Sequence, residues 1–195
     1  DAQATKTNIA DSVDVAKRHV TEDGLFVFYF CGHGRENGAL VVGDYVDRKG
    51  AAIEAKELFS LLEGFRGKIL MILDGCYTAA LGEHKDFPDR AALVGHIDEG
   101  YEGMAPSVAR AIRVDGGRDE AVRHFTSRAL CKVLRRNYHR IDVDDLVEMV
   151  QAEVGQCASL RARKTRLGLH RKGMTRIELR SRASASIIEN IEKGH

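Results

Sequence analysis

The stretch Lys68 to Ala80, KILMILDGCYTAA, constrains the fold of this chain more than any other. Residues Ile69 to Leu73 form an unbroken apolar run, too short for a self-standing helix and bounded by Gly67 and Gly75, which predicts a strand buried on both faces. Such strands belong to parallel sheets in the α/β class. The run delivers Asp74, Gly75 and Cys76 to its carboxyl end. In open parallel sheets ligands bind outside the carboxyl ends of the strands, so the thiol of Cys76 is predicted to stand where chemistry can occur.

A second stretch repeats the design. In Gly24 to Gly34, GLFVFYFCGHG, residues Leu25 to Phe30 read as another buried strand, and His33 follows its end between Gly32 and Gly34. If the two strands are parallel neighbours, imidazole and thiol emerge at one edge of one sheet. The intervening chain allows it. A short apolar piece, Ala39 to Val42, predicts a hairpin or excursion within residues 35–52, and Ile53 to Leu62 reads as a helix with Leu58, Leu61 and Leu62 inward and Gly64 as its stop. Strand, crossover helix, strand is a parallel unit.

Ahead of these stretches, Ile9, Val13, Ala16 and Val20 draw one apolar stripe on a helix over Thr7 to Val20. Beyond them, Leu81 to Pro106 is rich in glycine and charge and holds both prolines, predicting a long surface loop or flap. Val108 to Val114 reads as a strand, followed by a GGRDEA turn. Phe125, Ala129, Leu130, Val133 and Leu134 define a helix opened by Thr126 or Ser127, and Asp142 caps another helix that buries Leu146, Val147, Val150 and Val154 before Gly155. Met174 to Leu179 reads as a last strand, and Ile187, Ile188 and Ile191 as the inner face of a terminal helix. At 195 residues the simplest expectation is one domain.

Charge and cysteine content narrow the partners. The formal net charge of +1 predicts no bulk attraction to nucleic acid. Locally, Arg161 to Arg182 carries nine Lys or Arg against Glu178 alone, but without interleaved aromatic platforms it reads as a solvated loop rather than a nucleic-acid surface. No apolar run reaches membrane-spanning length. Cys31, Cys76, Cys131 and Cys157 lack disulfide-framework spacing, predicting a reducing, cytoplasmic setting.

The chemistry follows from two residues. A thiol attacks a carbonyl as thiolate, and a neighbouring imidazole takes up a proton and returns it to the departing amine. His33 and Cys76 are the candidate pair, with the amides of Gly34 and Cys76 as oxyanion donors. Alone, Cys76 reads as a structural cysteine and His33 as a turn residue; the paired setting at two strand ends makes the catalytic reading.

These two motifs, FYFCGHG with His33 and LDGCYTA with Cys76, resemble the paired motifs of caspase-like cysteine peptidases. Their separation is 43 positions, against roughly 50 in caspases. The text is most similar to the metacaspase and orthocaspase branch, with QATKTNI before the first helix and HFTSRAL after the GGRDEA turn also similar. The CYTA part resembles the sister CHAT peptidases. The likeness covers Ala4 to about Val154, specific at the two motifs and weak elsewhere.

The resemblance implies a caspase-like three-layer sandwich, a mostly parallel sheet with helices on both faces, here without the family's first strands. This chain would then be a fragment or processed subunit, with a second chain or a missing N-terminal segment completing the sheet. It implies hydrolysis of a protein substrate through Cys76 and His33, in regulated proteolysis such as cell death or defence, with no cofactor. Asp74 matches the position at the floor of the pocket for the substrate side chain before the cut. A carboxylate there favours arginine, then lysine, and repels aspartate. Cys31 stands where many relatives carry serine, and reads as a small buried residue. Some relatives respond to calcium, but Asp98, Glu99 and Glu102 follow no calcium-loop spacing, so no metal is predicted. Lys85, Arg90, Arg110, Arg113 and Arg118 are candidate self-cleavage sites, with solvated surface as the ordinary alternative. Two rival readings stand beside the peptidase: an inactive caspase-like scaffold or interaction module, and a metal site of Cys31, His33 and Cys76.

Overall fold

The apolar run at Ile69 to Leu73 lies within an interior strand of the sheet. The computed structural model describes residues 4–43, 51–97, 125–156, 166–173 and 176–193. In chain order these form α1 (Lys6–His19), β1 (Leu25–Cys31), β2 (Leu40–Val41), β3 (Ala52–Ile53), α2 (Ala55–Leu62), β4 (Lys68–Asp74), a 3-10 helix (Thr78–Glu83) and β5 (Ala91–His96). Then come α3 (Phe125–Arg136), β6 (Arg140–Asp142), α4 (Val143–Gly155), β7 (Leu167–Lys172), β8 (Glu178–Arg180) and α5 (Ser181–Lys193).

Four strands share one sheet in the order β1-β4-β5-β7. Strands β1 and β4 pair in parallel from Leu25 against Lys68 to Cys31 against Asp74, and β4 and β5 pair in parallel from Ile69 against Ala91 to Leu73 against Gly95. Gly168 at the start of β7 lies against Ile97 just past β5, and Gly173 beyond its end lies against Arg90 just before β5. The fourth strand therefore runs antiparallel to its neighbour. The class is α/β with a mostly parallel sheet, as the run in β4 predicts.

Burial separates the strands by position. Ile69 to Leu73 are all buried, each such side chain contributing about 1.5–3 kcal/mol by leaving water. Every residue of β1 is half-buried, which corrects the expectation of a fully buried strand at Leu25 to Phe30. Its place at the edge of the sheet among the described residues is the reason, because there only one side of the strand has a neighbour. Alternate residues Ile69, Met71 and Leu73 point into one cluster with Val13 of α1 and Leu58, Phe59 and Leu62 of α2. Phe26, Phe28 and Phe30 of β1 pack against the same cluster.

The helix ends follow local chemistry. The Thr5 hydroxyl accepts the N–H of Asn8 and starts α1, while Gly64, at a φ of +86°, takes the left-handed conformation just after α2. Ile53, expected within α2, instead belongs to β3, which closes the predicted hairpin with β2 by pairing against Leu40. Leu61 is only half-buried and Phe59 takes the inner position.

Two corrections concern the second half. Residues 81–106 are not a continuous surface loop: the 3-10 helix extends to Glu83, and β5 is a strand buried along its whole length inside the sheet. In AALVGH only Leu93 and Val94 are large apolar residues, and the short run lies among charged and glycine-rich neighbours, so the strand is masked by its surroundings. The basic stretch is likewise not only loop, since β7 and β8 lie within it. Its cations Arg176 and Arg180 are paired, with Asp142 at 2.5 Å and Glu178 at 2.8 Å. The expected strand Val108 to Val114, the GGRDEA turn and Cys157 lie outside the described residues, as do Met174 and Thr175.

By packing, the described residues up to Ile97 with those from Gly168 to Gly173 make one unit, and the remainder a second. In the second unit β6 and β8 pair antiparallel. Asp142 caps α4 by accepting the N–H of Asp144 at 3.0 Å, as expected. Val143, Leu146, Val150 and Val154 are its buried residues, Val147 standing half out. Thr126 and Ser127 lie buried inside the first turn of α3 rather than ahead of it. On α5, Ile187, Ile188 and Ile191 are buried.

Candidate functional site

The register of β1 on β4 sets the geometry. Cys31 and Asp74 are opposite partners at the carboxyl ends of the two strands, so His33 and Cys76 each follow two residues beyond a matched pair. The ladder continues into the corner, where the Gly32 N–H donates to the Asp74 carbonyl at 3.1 Å. Glycine is required by the space. A Cβ on Gly34 would stand 2.0 Å from the Cys76 carbonyl oxygen and 3.1 Å from its nitrogen, and a Cβ on Gly75 would stand 2.8 Å from the Gly32 carbonyl oxygen. The two corners therefore touch backbone to backbone.

His33 is exposed and Cys76 buried. The imidazole-bearing corner is held from its other side: the His33 carbonyl accepts the Val41 N–H at 2.9 Å, and the Arg35 N–H donates to the Ala39 carbonyl at 2.9 Å. In this bridge between Gly34 and Leu40 the bonds belong to the residues flanking Gly34. The N–H of Gly34 takes no part in them and points away from β2. Beyond Cys76 the chain turns sharply. Tyr77 adopts φ 57° and ψ 10°, the left-handed region that a tyrosine enters at a cost of about 1–2 kcal/mol, and the 3-10 helix follows directly.

One row of side chains crosses three strands at this edge. Asp74 is the partner of Cys31, and continuing the register by one places it opposite His96 of β5. The Cys31 sulfur lies 4.0 Å from Oδ2 of Asp74, and Nε2 of His96 lies 3.0 Å from Oδ1. The Asp74 and His96 side chains are 10% and 4% exposed. Thr78, fully buried, ties the row together from the 3-10 helix. Its hydroxyl oxygen lies 2.9 Å from the Leu73 carbonyl and 2.8 Å from that of Gly75, and accepts the N–H of His96 at 3.1 Å. Gly95 permits this approach, since a Cβ there would stand 2.8 Å from the Thr78 hydroxyl.

His96 and Thr78 are the residues that the two motifs do not indicate. A signal for His96 exists in the sequence: LVGH, residues 93–96, repeats the order apolar run, glycine, histidine seen in FCGH, residues 30–33. Among the described residues no three His, Cys, Asp or Glu side chains gather as metal ligands, so the reading of Cys31, His33 and Cys76 as a metal site gains no geometric support. Asp98, Glu99, Glu102, Arg110, Arg113 and Arg118 lie outside the described residues. Lys85 is exposed. Arg90 is engaged, donating to the Arg66 carbonyl at 2.5 Å and to that of Glu22 at 2.8 Å. Among the described residues no helix is long and apolar enough to cross a membrane. Compared with known proteins, the chain matches no family model and no curated protein.

Proposed function

We propose that the chain is a caspase-like cysteine endopeptidase that cuts after arginine, and less readily after lysine, through Cys76 and His33. The observation that carries this reading is the close seating of Gly34 on the Cys76 peptide at the ends of two parallel strands. Attack by the Cys76 thiolate on a substrate carbonyl forms a tetrahedral oxyanion, for which the amides of Gly34 and Cys76 are the donors. Collapse breaks the C–N bond, and the imidazolium of His33 gives its proton to the departing amine. Water then hydrolyses the thioester, releasing the carboxylate product and the thiol. The strained turn at Tyr77 supports the reading, because strain of this kind concentrates at functional corners.

In this proposal Asp74 meets the substrate guanidinium, and the work takes place in a regulated pathway in the cytoplasm on protein substrates. The full three-layer arrangement, with helices on both faces of the sheet, belongs to the same proposal. The test is incubation of the wild type, Cys76→Ala and Asp74→Ala with a peptide library and mass-spectrometric readout. Cleavage after arginine by the wild type, its absence in Cys76→Ala and a loss of about 10- to 100-fold in Asp74→Ala are expected, the last from a charge-assisted contact of about 1.5–3 kcal/mol. Equal cleavage after arginine and aspartate removes Asp74 from its role. Undiminished cleavage by Cys76→Ala removes the mechanism.

A further inference from the structure

The second unit carries a cavity of about 460 Å³ between β6, the first two turns of α4 and Arg176 just ahead of β8. That volume suits a small ligand. Its lining holds both signs of charge. Arg140 and Arg176 reach it, and their Nε atoms lie 2.6 Å from Glu178 and 2.5 Å from Asp142. A guanidinium has five N–H donors, so a carboxylate held at Nε fixes the arm and leaves the terminal amino groups with donors to spare. The two side chains are 65% and 63% exposed, which keeps those donors within reach of a ligand. The anions are Asp145 and Glu148, exposed and three residues apart on one face of α4. Among the described residues neither makes an ion pair or a hydrogen bond, whereas Asp142 is taken up by Arg176 and by the N–H of Asp144. Between the charges lie Ile141, buried, and Met149, whose sulfur is 3.6 Å from the Asn137 amide nitrogen.

Mixed walls select against a single charge. A ligand with a carboxylate alone meets Asp145 and Glu148 with like sign, and one with a cation alone meets Arg140 and Arg176. A molecule carrying both charges, with methylenes between, answers every part of the lining. We propose that this cavity binds a carboxylate joined to a cationic side chain, as in a carboxy-terminal arginine or lysine or the free amino acid. The forks of Arg140 and Arg176 take the carboxylate, Asp145 and Glu148 take the cation, and Ile141 and Met149 cover the methylenes. The binding does not depend on the peptidase reading. On that reading each cut after arginine leaves such an end, so the cavity takes the reaction's own product.

Calorimetric titration of the full chain carrying Cys76→Ala, which excludes turnover, compares four compounds. Acetyl-arginine has both charges, acetyl-argininamide only the cation, acetyl-citrulline only the carboxylate, and free arginine adds an α-ammonium. Acetyl-arginine is expected to bind about tenfold or more tightly than either singly charged compound, as the loss of a charge-assisted contact implies. Arg140→Gln leaves Glu178 with Arg180, and Glu148 is exposed, so both positions tolerate replacement. Each of Arg140→Gln and Glu148→Gln weakens acetyl-arginine about tenfold. Arg140→Gln narrows its advantage over the amide, and Glu148→Gln its advantage over citrulline. Asp74→Ala changes nothing. Free arginine binding more weakly identifies a chain end as the ligand, and equal binding the amino acid; the site is supported in both cases. No binding, equal binding of the acetylated compounds, or affinity lost in Asp74→Ala but kept in the two cavity variants overturns the inference and leaves the peptidase reading standing. Intact binding beside a wild type that cleaves no peptide removes the peptidase reading and leaves the cavity.

Discussion

Gly34 is the residue on which the two corners turn. A methyl group there would lie 2.0 Å from the Cys76 carbonyl oxygen, a separation no side-chain rotation relieves because both sides are backbone. Gly34→Ala is therefore expected to push the corners apart. Overpacking of this kind costs about 1–3 kcal/mol, but a displacement near 1 Å between reacting groups costs about 100-fold in rate. On the proposed peptidase reading, the expected result is a modestly lowered Tm with cleavage of an arginine peptide nearly lost, and unchanged activity would separate the corner from the site. Thr78 acts through its hydroxyl rather than its bulk. Thr78→Val keeps the shape but leaves the His96 N–H and a strand-end carbonyl without their partner, at about 1–3 kcal/mol by denaturant unfolding. Thr78→Ser retains the bonds and should recover most of that loss. Destabilisation by Thr78→Ser with none by Thr78→Val would mean that the methyl contact, not the hydrogen bonds, is responsible.

At the scale of elements, what the sequence discloses depends on the length and continuity of each strand's apolar run and on what flanks it, not on burial alone. Ile69 to Leu73 is readable because a strand with neighbours on both sides selects apolar residues at every position, and the glycines at its ends mark the limits. Cys76 is readable for the same reason, as the residue two places beyond that strand, and His33 because half-buried β1 carries an equally unbroken apolar run, Leu25 to Phe30. Strand β5 is equally buried but has only Leu93 and Val94 as large apolar residues beside Ala91, Ala92 and Gly95, a run too short to stand out, so His96 at its end passes for a loop residue. Small side chains are what the site needs there, since Gly95 lies against Thr78 and Ala79. Strand β7 hides differently: Leu167 and Leu169 alternate with Gly168 and His170 inside a run of cations, and composition outweighs the two-residue period. The difference between interior and edge predicts unequal sensitivity. Met71→Ala in β4, where the side chain is fully buried, should cost about 2–5 kcal/mol. Val27→Ala in half-buried β1 should cost about 1 kcal/mol, near the centre of the range for ordinary substitutions. Similar losses at both positions, read from unfolding midpoints at equal m-values, would contradict the assignment of β1 to an edge.

Across the whole molecule, acid should act on the second unit through its carboxylates. Glu153 on α4 accepts from Lys132 and Arg136 of α3, and these two cations, Lys132 first, hold its carboxyl below the ordinary glutamate range. Glu178 is lowered in the same direction, by Arg180 and then by Arg140. A carboxyl whose folded value lies below its unfolded one adds stability at every pH above the unfolded value and loses it as pH falls through the folded value. Protonated glutamate resembles glutamine in charge, so Glu153→Gln removes at neutral pH what acid removes from the wild type. Amide exchange of α3 and α4 in the full chain should therefore be faster in Glu153→Gln than in the wild type near pH 7. The difference should close once the pH has dropped through the lowered value, and should also narrow in high salt, because Lys132 and Arg136 are themselves half-exposed and screened. A difference that persists in acid would assign the effect to packing of the Glu153 stem; no difference at neutral pH would mean that the pairing of α3 with α4 rests on its apolar contacts alone.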